Sequence, residues 1–291
     1  MKKILVVGDL HTKFPVLWAV QKLIPQYDKV IFLGDYVDDW DVSPEVSYNF
    51  LNEIIKLKMD SPEKVVLLLG NHDLSEGFAE QKGDTFSCSG YNPYTHSLVK
   101  DLYKTRMTGN VPIFCMSYFH GFLFTHAGVT NKYWNSIKYL VKKEYPNLED
   151  ILEYEKAYDK TRKGVVVDTI LNYAFLNGLS NPNDKLFKTF AQVGSSRGGN
   201  QTPSPVWADK DELVENPLHD VSQIVGHTPV KKIVQSSVMT KDNLVTLTFC
   251  DTFSLSYDWY DGMTYPIGDN SLLEIDFRDL MPVLKTIHLK V

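Results

Sequence analysis

The stretch Gly70-Asn71-His72-Asp73 follows five apolar residues, Val65 to Leu69, and offers three side chains that can hold an ion or move a proton. Four other stretches repeat the arrangement: Gly8-Asp9-Leu10-His11, Gly34-Asp35-Tyr36-Val37-Asp38-Asp39, Thr125-His126-Ala127-Gly128 and Gly226-His227-Thr228-Pro229, each closing an apolar run. Asp and Asn are ordinary turn residues after a strand, so any one stretch alone says little. Together they exceed what packing requires. Carboxylate and imidazole donors suit Mn, Fe, Zn and similar ions, and the absence of paired thiolates argues against a structural zinc cage. The chemistry that uses such a collection is a two-metal site. There, ions ~3.5–4 Å apart share a bridging ligand, and an activated water or hydroxide attacks phosphorus.

These donors lie tens of residues apart, so the fold must gather them. KILVVG (3–8), KVIFLG (29–34) and KVVLLLG (64–70) read as strands buried on both faces. Between the first two, Phe14, Leu17, Val20 and Ile24 recur at helical spacing. After the second, Ser43 and Pro44 read as an N-cap and first helical residue, with Val46, Phe50, Ile54 and Leu57 as the apolar stripe. Strand–helix–strand–helix–strand with short connections predicts parallel pairing, which puts every C-terminal strand end on one edge of the sheet. Residues 78–110 read as loop, and GFLFTHAG (121–128) as another strand ending in Gly. Residues 131–178 read as helices broken at Pro146 and Gly164, and 194–206 as a long irregular loop. From 222 onward SQIVGHTP, NLVTLTFCD, SLLEID and VLKTIHLKV return to strand patterns, with Tyr257, Trp259 and Tyr260 expected to pack the second sheet rather than line a substrate cleft. No repeat or linker divides the chain. A single domain over 1–291 is expected, with a helical elaboration at about 131–178.

Among the 291 residues, 36 acids against 30 Lys plus Arg give a formal charge of -6, which disfavours nucleic acid as a partner. Cys88, Cys115 and Cys250 are an odd number without CxxC spacing, so reduced thiols are expected rather than a disulfide framework. The opening MKKILVVGDLHTK has too short an apolar run for a signal peptide, and no run approaches the ~20 residues of a membrane span. A cytoplasmic protein without membrane attachment is expected.

The five motifs, in this order over residues 8 to 229, resemble those of the calcineurin-like metallophosphoesterases: GDxH, GDxxD, GNH followed by Glu or Asp, a strand-borne His, and GH. The resemblance implies an α/β fold, two mixed β-sheets in a sandwich flanked by helices, and a dinuclear hydrolase of phosphoric esters. Carried over residue by residue, it implies that Asp9 and His11 hold the first ion and that Asp35 bridges the pair. Asn71, His126 and His227 would complete the second ion, with Asn71 also near the substrate phosphate. Two divalent cations are implied, Mn²⁺ first, with Fe, Zn, Ni or Co also accommodated. His72 takes the family's place for the general acid that protonates the leaving oxygen, oriented by Asp38. Asp73 is open between a supporting role and a cap for the turn at 74–77.

GDYVDD and GNHD are close to the GDxVDRG and GNHE of the phosphoprotein-phosphatase branch, which also contains bacterial and phage enzymes and a diadenosine tetraphosphatase. GHTP lacks the second His of the GHxH found in many phosphodiesterases, which favours monoesters. There are departures from the branch: Asp39 stands where it has Arg, and Thr12 where it has Gly. Arg197, in GSSRGG, is expected to supply the missing cation, because flanking glycines let a ligand approach and the guanidinium fork matches phosphate. The nearby PVWADKDEL resembles the branch's Trp-Ser/Ala-Asp stretch and supports that placement. The expected activity is metal-dependent hydrolysis of phosphate monoesters, the substrate being a phosphorylated protein, nucleotide or small molecule. The alternatives are a hydrolase of dinucleoside polyphosphates or other nucleotides, and a binding protein that has lost catalysis.

Overall fold

The computed structural model describes residues 3–39, 42–106, 113–157, 162–241, 243–278 and 282–289. In chain order come β1 (Lys3–Val7), α1 (Phe14–Leu23), β2 (Lys29–Phe32), α2 (Pro44–Asp60), β3 (Val65–Leu68), α3 (Asn71–Phe78), α4 (Pro93–Asp101) and β4 (Ile113–Phe114). They are followed by β5 (Met116–Phe119), β6 (Phe122–Thr125), α5 (Asn131–Glu144), α6 (Glu149–Ala157), α7 (Lys163–Ser180), α8 (Lys185–Lys188), α9 (Lys210–Glu215) and β7 (Ser222–Val225). Six strands close the chain: β8 (Val234–Met239), β9 (Leu244–Phe249), β10 (Leu255–Asp258), β11 (Met263–Pro266), β12 (Ser271–Asp276) and β13 (Val283–His288). The chain gathers into two compact units, the first Met1–Ile113, Gly226–Val234 and Cys250–Val291, the second Phe114–Val225 and Gln235–Phe249.

The first unit holds a mixed sheet in the order β13-β12-β1-β2-β3-β4. The three apolar runs expected to pair in parallel do so, with Ile4 opposite Lys29 and Val30 opposite Val65. Ile4, Leu5, Val6, Ile31, Phe32, Val65 and Leu67 are buried, as central parallel strands covered on both faces require. β12 pairs antiparallel with β1 and carries β13 outward. Parallel pairing places the residues after Val7, Phe32 and Leu68 together, and these are Gly8-Asp9, Leu33-Gly34-Asp35 and Leu69-Gly70-Asn71.

Helix α2 starts where Ser43 and Pro44 place it, with Ser43 Oγ accepting from the Val46 amide. Its buried face is not the simple stripe expected. Phe50, Ile54 and Leu57 are buried as expected, but Val46 is exposed, and Leu51, Ile55 and the aliphatic stem of Lys58 widen the inward face. The 78–110 stretch, read as loop, contains α4 and a π-helical turn, Leu102–Arg106. Asn92 caps α4 through the amides of Tyr94 and Thr95, with Pro93 in the first turn. The aromatic group near the C-terminus also differs from expectation: Trp259 and Tyr260 tip the β10–β11 hairpin and are 82% and 102% exposed instead of packed.

The second unit has a mixed sheet in the order β5-β6-β7-β9-β8, with β6, β7 and β9 mutually parallel. Its helices α5, α6 and α7 occupy the segment expected to be helical, of which residues 158–161 lie outside those described. Tyr133, Trp134, Ile137 and Val141 form the buried face of α5, and Phe175, Phe187 and Phe190 pack edge to face or tilted.

Candidate metal centre

Three strand-end loops of the first unit are tied into one frame by their own backbones. The amides of Leu10 and His11 both donate to the Asp35 carbonyl, at 3.1 and 2.8 Å, and Thr12 donates to the Tyr36 carbonyl at 2.9 Å. The frame is conformationally demanding. His11, Thr12, Asp35, Asp38 and His227 have φ of 40, 59, 52, 68 and 62°, in the left-handed region that non-glycine residues avoid. Thr12 stands where the resembled branch has Gly. Its hydroxyl donates to the His11 carbonyl at 2.7 Å, which helps a β-branched residue hold that conformation. Gly70 is a steric requirement, because a Cβ there would overlap the Asp35 carboxylate.

Within this frame Asp9, His11 and Asp35 offer donor atoms that all lie within 4.8 Å of one another, as do those of Asp35 and His227. Asp9 and Asp35 are 1% and 2% exposed, so two carboxylates are buried side by side, an arrangement that a cation compensates. The His11 geometry fixes its tautomer. Its Nδ1 lies 2.6 Å from the Asp38 carbonyl, which can only accept, so Nδ1 carries the proton and Nε2 keeps a lone pair. That Nε2 is 3.8 Å from Asp35 Oδ2, close to the roughly 3–3.5 Å that separates two donors sharing one metal ion. The Asp9 carboxylate is oriented by the His227 amide, 3.1 and 3.0 Å from its two oxygens. Asn71, the first residue of α3, is buried at the same edge. The donor set fits divalent metal ions.

Residues 74–77 lie inside α3, so Asp73 caps the start of that helix instead of a separate turn, and it also supports the neighbouring loop. Its Oδ2 accepts from the Gly70 amide at 2.9 Å, capping α3, and from the Asp35 amide at 2.7 Å. Its Oδ1 accepts from the Tyr36 amide at 3.0 Å and the Tyr103 hydroxyl at 2.6 Å. Burial and the Asp35 charge raise its pKa, against the lowering effect of Tyr103 and the amides. The side chain that caps the helix therefore also grips the backbone of the expected bridging ligand.

Beside this cluster, His72 Nδ1 lies 2.5 Å from Asp38 Oδ2, the pairing expected of an acid and its orienting carboxylate. The His72 amide also donates to Asp35 Oδ1 at 2.9 Å. Burial alone would lower the imidazole pKa. The negative charge of Asp35 and the contacts with Cys88 and Asp38 together raise it well above the ordinary value. The His11 and His72 rings meet edge to face with centroids 5.2 Å apart.

Some members of this neighbourhood were not singled out by the sequence. Lys13 Nζ lies 2.8 Å from Asp39 Oδ2, so the acid in the Arg position of the branch is neutralised locally. The signal was present, since Lys13 follows His11 by two residues. Cys88 Sγ lies 3.5 Å from His72 Nδ1, and a Cβ at Gly90 would overlap Asp38 Oδ2, so the 83–91 loop packs directly on the His72–Asp38 pair. Nothing in the spacing announces that approach.

Two expected site residues belong to the second unit. His126 follows β6 directly and is fully buried, with the next amide, Ala127, donating to the Pro205 carbonyl at 2.7 Å. Arg197 ends a 3₁₀ turn, Ser195–Arg197, and its Nε is 2.9 Å from Oδ2 of Asp209, the N-cap of α9.

The family model for calcineurin-like phosphoesterases matches residues 2–231. The chain belongs to that family. No curated protein matches this phosphoesterase in sequence. Among solved structures, a point mutant of a cold-active protein tyrosine phosphatase aligns at TM-score 0.54 and 16% identity, covering 99% of this chain and 81% of the other. The cold-active protein-tyrosine phosphatase of a psychrophile, Shewanella sp., aligns at TM-score 0.52 with 16% identity and the same 99% and 81% coverage. At that identity the likeness is one of fold. The phosphoesterase has the calcineurin-like architecture of mixed sheets with helices, and its family's metal-dependent hydrolysis of phosphoesters accounts for the donor cluster. Among the described residues, no helix is long and apolar enough to cross a membrane.

Proposed function

We propose that this phosphoesterase is a phosphomonoesterase of the phosphoprotein-phosphatase branch, working with two divalent ions, Mn²⁺ first. Asp9 and His11 would hold one ion, with Asp35 shared between the two. Asn71 and His227 serve the second, with His126 assigned to it by its motif. When bound, the ions supply Lewis acidity and an activated water. The observation that carries the reading is the 2.5 Å contact between His72 Nδ1 and Asp38 Oδ2 beside the Asp9–His11–Asp35 donors. Because Nδ1 is committed to Asp38, Nε2 is the atom that releases a proton to the leaving oxygen. Asp38 holds the ring in that orientation and stabilises its charge, as the Asp of a catalytic triad does. Arg197 is assigned to the substrate phosphate, and Lys13 keeps Asp39 from repelling it.

A monoester preference is supported by Thr228 and Pro229 standing where many phosphodiesterases carry a further His. A phosphorylated protein is the favoured substrate, because two relatives of the same fold are named protein tyrosine phosphatases. Three cysteines outside any disulfide support a reducing, cytoplasmic setting. The test strips the protein of metal and restores Mn²⁺ with p-nitrophenyl phosphate or bis-p-nitrophenyl phosphate as substrate. Restored turnover favouring the monoester is expected, and preference for the diester would overturn the assignment. His72→Asn should retain both ions and lose rate most on poor leaving groups. Equal losses on good and poor leaving groups would remove His72 as the acid.

A further inference from the structure

We infer that Asp38, His72 and Cys88 form a third cation site, selective for zinc-like ions, whose occupation disables the proton donor. Their donor atoms all lie within 4.8 Å of one another, and none of these residues is among the ligands assigned to the two catalytic ions. The inhibitory half of the inference rests on His72 being the general acid. The binding half does not.

Geometry and donor chemistry both point to this site. A tetrahedral zinc with bonds of ~2.3 Å to sulfur and ~2.0–2.1 Å to nitrogen and oxygen sets roughly 3.5 Å between sulfur and nitrogen, and roughly 3.3 Å between nitrogen and oxygen. Cys88 Sγ is already 3.5 Å from His72 Nδ1. The Nδ1–Oδ2 separation, 2.5 Å in the hydrogen-bonded pair, must open by under about 1 Å, and the Asp38 oxygen lies within 4.8 Å of the sulfur. The same nitrogen therefore faces two alternatives: a proton shared with Asp38, or a metal shared with Asp38 and Cys88. Binding would release the thiol proton and the shared proton to solvent, leaving thiolate, neutral imidazole and carboxylate on the ion. With Nδ1 on a metal, the Nε2 proton belongs to a neutral imidazole, a far weaker acid than the imidazolium that the leaving oxygen needs.

Sulfur sets the selectivity. The catalytic donors are carboxylate, imidazole and amide, which accept Mn²⁺, whereas a thiolate favours zinc and cobalt over manganese. Access is available, because the His72 and Asp38 side chains are 23% and 20% exposed although Cys88 is buried. The loop is held in place for this contact: the Cys88 amide donates to Ser75 Oγ at 3.0 Å, and Gly90 lets the backbone close on Asp38.

The test uses the full-length protein loaded with Mn²⁺ and then titrated with Zn²⁺ or Co²⁺. The wild type should bind one more equivalent of zinc by equilibrium dialysis than Cys88→Ser. With cobalt it should show a sulfur-to-metal charge-transfer band that the variant lacks. Zinc should slow the wild type at least tenfold on poor leaving groups, and slow Cys88→Ser less than twofold relative to its own zinc-free rate. Retained Mn²⁺ stoichiometry would show that the variant is folded. Equal zinc binding in both proteins, or a cobalt band that survives in Cys88→Ser, would overturn the site. A zinc equivalent and cobalt band confined to the wild type, in a protein without phosphatase activity, would uphold the site and refute the functional reading instead.

Discussion

Asp73→Asn separates the stability of the centre from its chemistry. Asp73 accepts four hydrogen bonds, from the amides of Asp35, Tyr36 and Gly70 and from the Tyr103 hydroxyl, with no exposure to solvent. An amide of the same shape keeps one acceptor oxygen and turns the other into a donor that faces existing donors. If the oxygen stays toward Asp35 and Gly70, the Tyr103 hydroxyl can rotate to accept, but the Tyr36 amide is left buried and opposed. The lost charge-assisted bonds are worth about 1.5–3 kcal/mol each, and two of the four are lost or weakened, giving about 3–6 kcal/mol. Against this, the substitution removes a buried charge whose raised pKa records unfavourable burial and repulsion from Asp35. Offsetting the loss by roughly 1–2 kcal/mol leaves a net destabilisation of about 2–4 kcal/mol. The loosened Asp35 backbone should also weaken metal binding by about 10–100-fold, the usual effect of removing a partner that orients a ligand. Urea unfolding of the metal-free protein measures the first quantity, and titration calorimetry with Mn²⁺ the second. A loss below about 1 kcal/mol together with unchanged metal affinity would refute the reasoning, because Asp73 would then be neither a clamp nor a necessary cap.

Gly90→Ala should push Asp38 away from His72, leaving metal content unchanged while kcat on poor leaving groups falls by about 10²–10⁴-fold; a variant as fast as wild type would mean that the loop yields freely. Lys13→Ala should raise KM for an anionic substrate about fivefold with little change in kcat, and adding Asp39→Asn should recover most of it, as steady-state kinetics would read. Glu76, whose carboxyl is pushed up to about 8 chiefly by burial, stabilises the fold most below its unfolded pKa near 4.5, and that contribution is lost as pH rises through about 8. Glu76→Gln should therefore flatten the decline in stability between pH 5 and pH 8.5 by on the order of 3 kcal/mol in denaturant titrations, and parallel pH curves for the two proteins would contradict the shift.

Much of the centre was legible because Asp9, His11, Asp35 and Asn71 follow the short apolar runs of β1, β2 and β3. That pattern fixes parallel pairing, and parallel pairing gathers strand ends whatever their separation in sequence. Asp9, His11, Asp35 and Asn71 are grouped by that rule, whereas His227 follows β7 of the other sheet and is grouped by its motif alone. Asp73 was legible only in part, because one carboxylate serves a local cap and a contact 38 residues away with the Asp35 amide. Helix α4 was missed because Gly, Ser and Pro around it suggested loop, although Asn92-Pro93 is a good start signal. Cys88 was out of reach: its contact with His72 depends on how an irregular loop folds back, and no periodicity governs that. The β10–β11 aromatics misled because large rings usually report burial, whereas a hairpin tip can carry them into solvent.

The left-handed backbone at His11, Asp35, Asp38 and His227 has a consequence for how this protein can change. Each such residue costs about 1–2 kcal/mol relative to glycine in the same conformation, and the cost is borne by the folded chain whether or not metal is bound. A library screened for thermal resistance alone should accumulate glycine or asparagine at these four positions. Improvement by that route would dismantle the proposed metal centre and acid pair first. Robust variants that still turn over substrate must be sought elsewhere, and any screen for them has to couple survival to phosphate release.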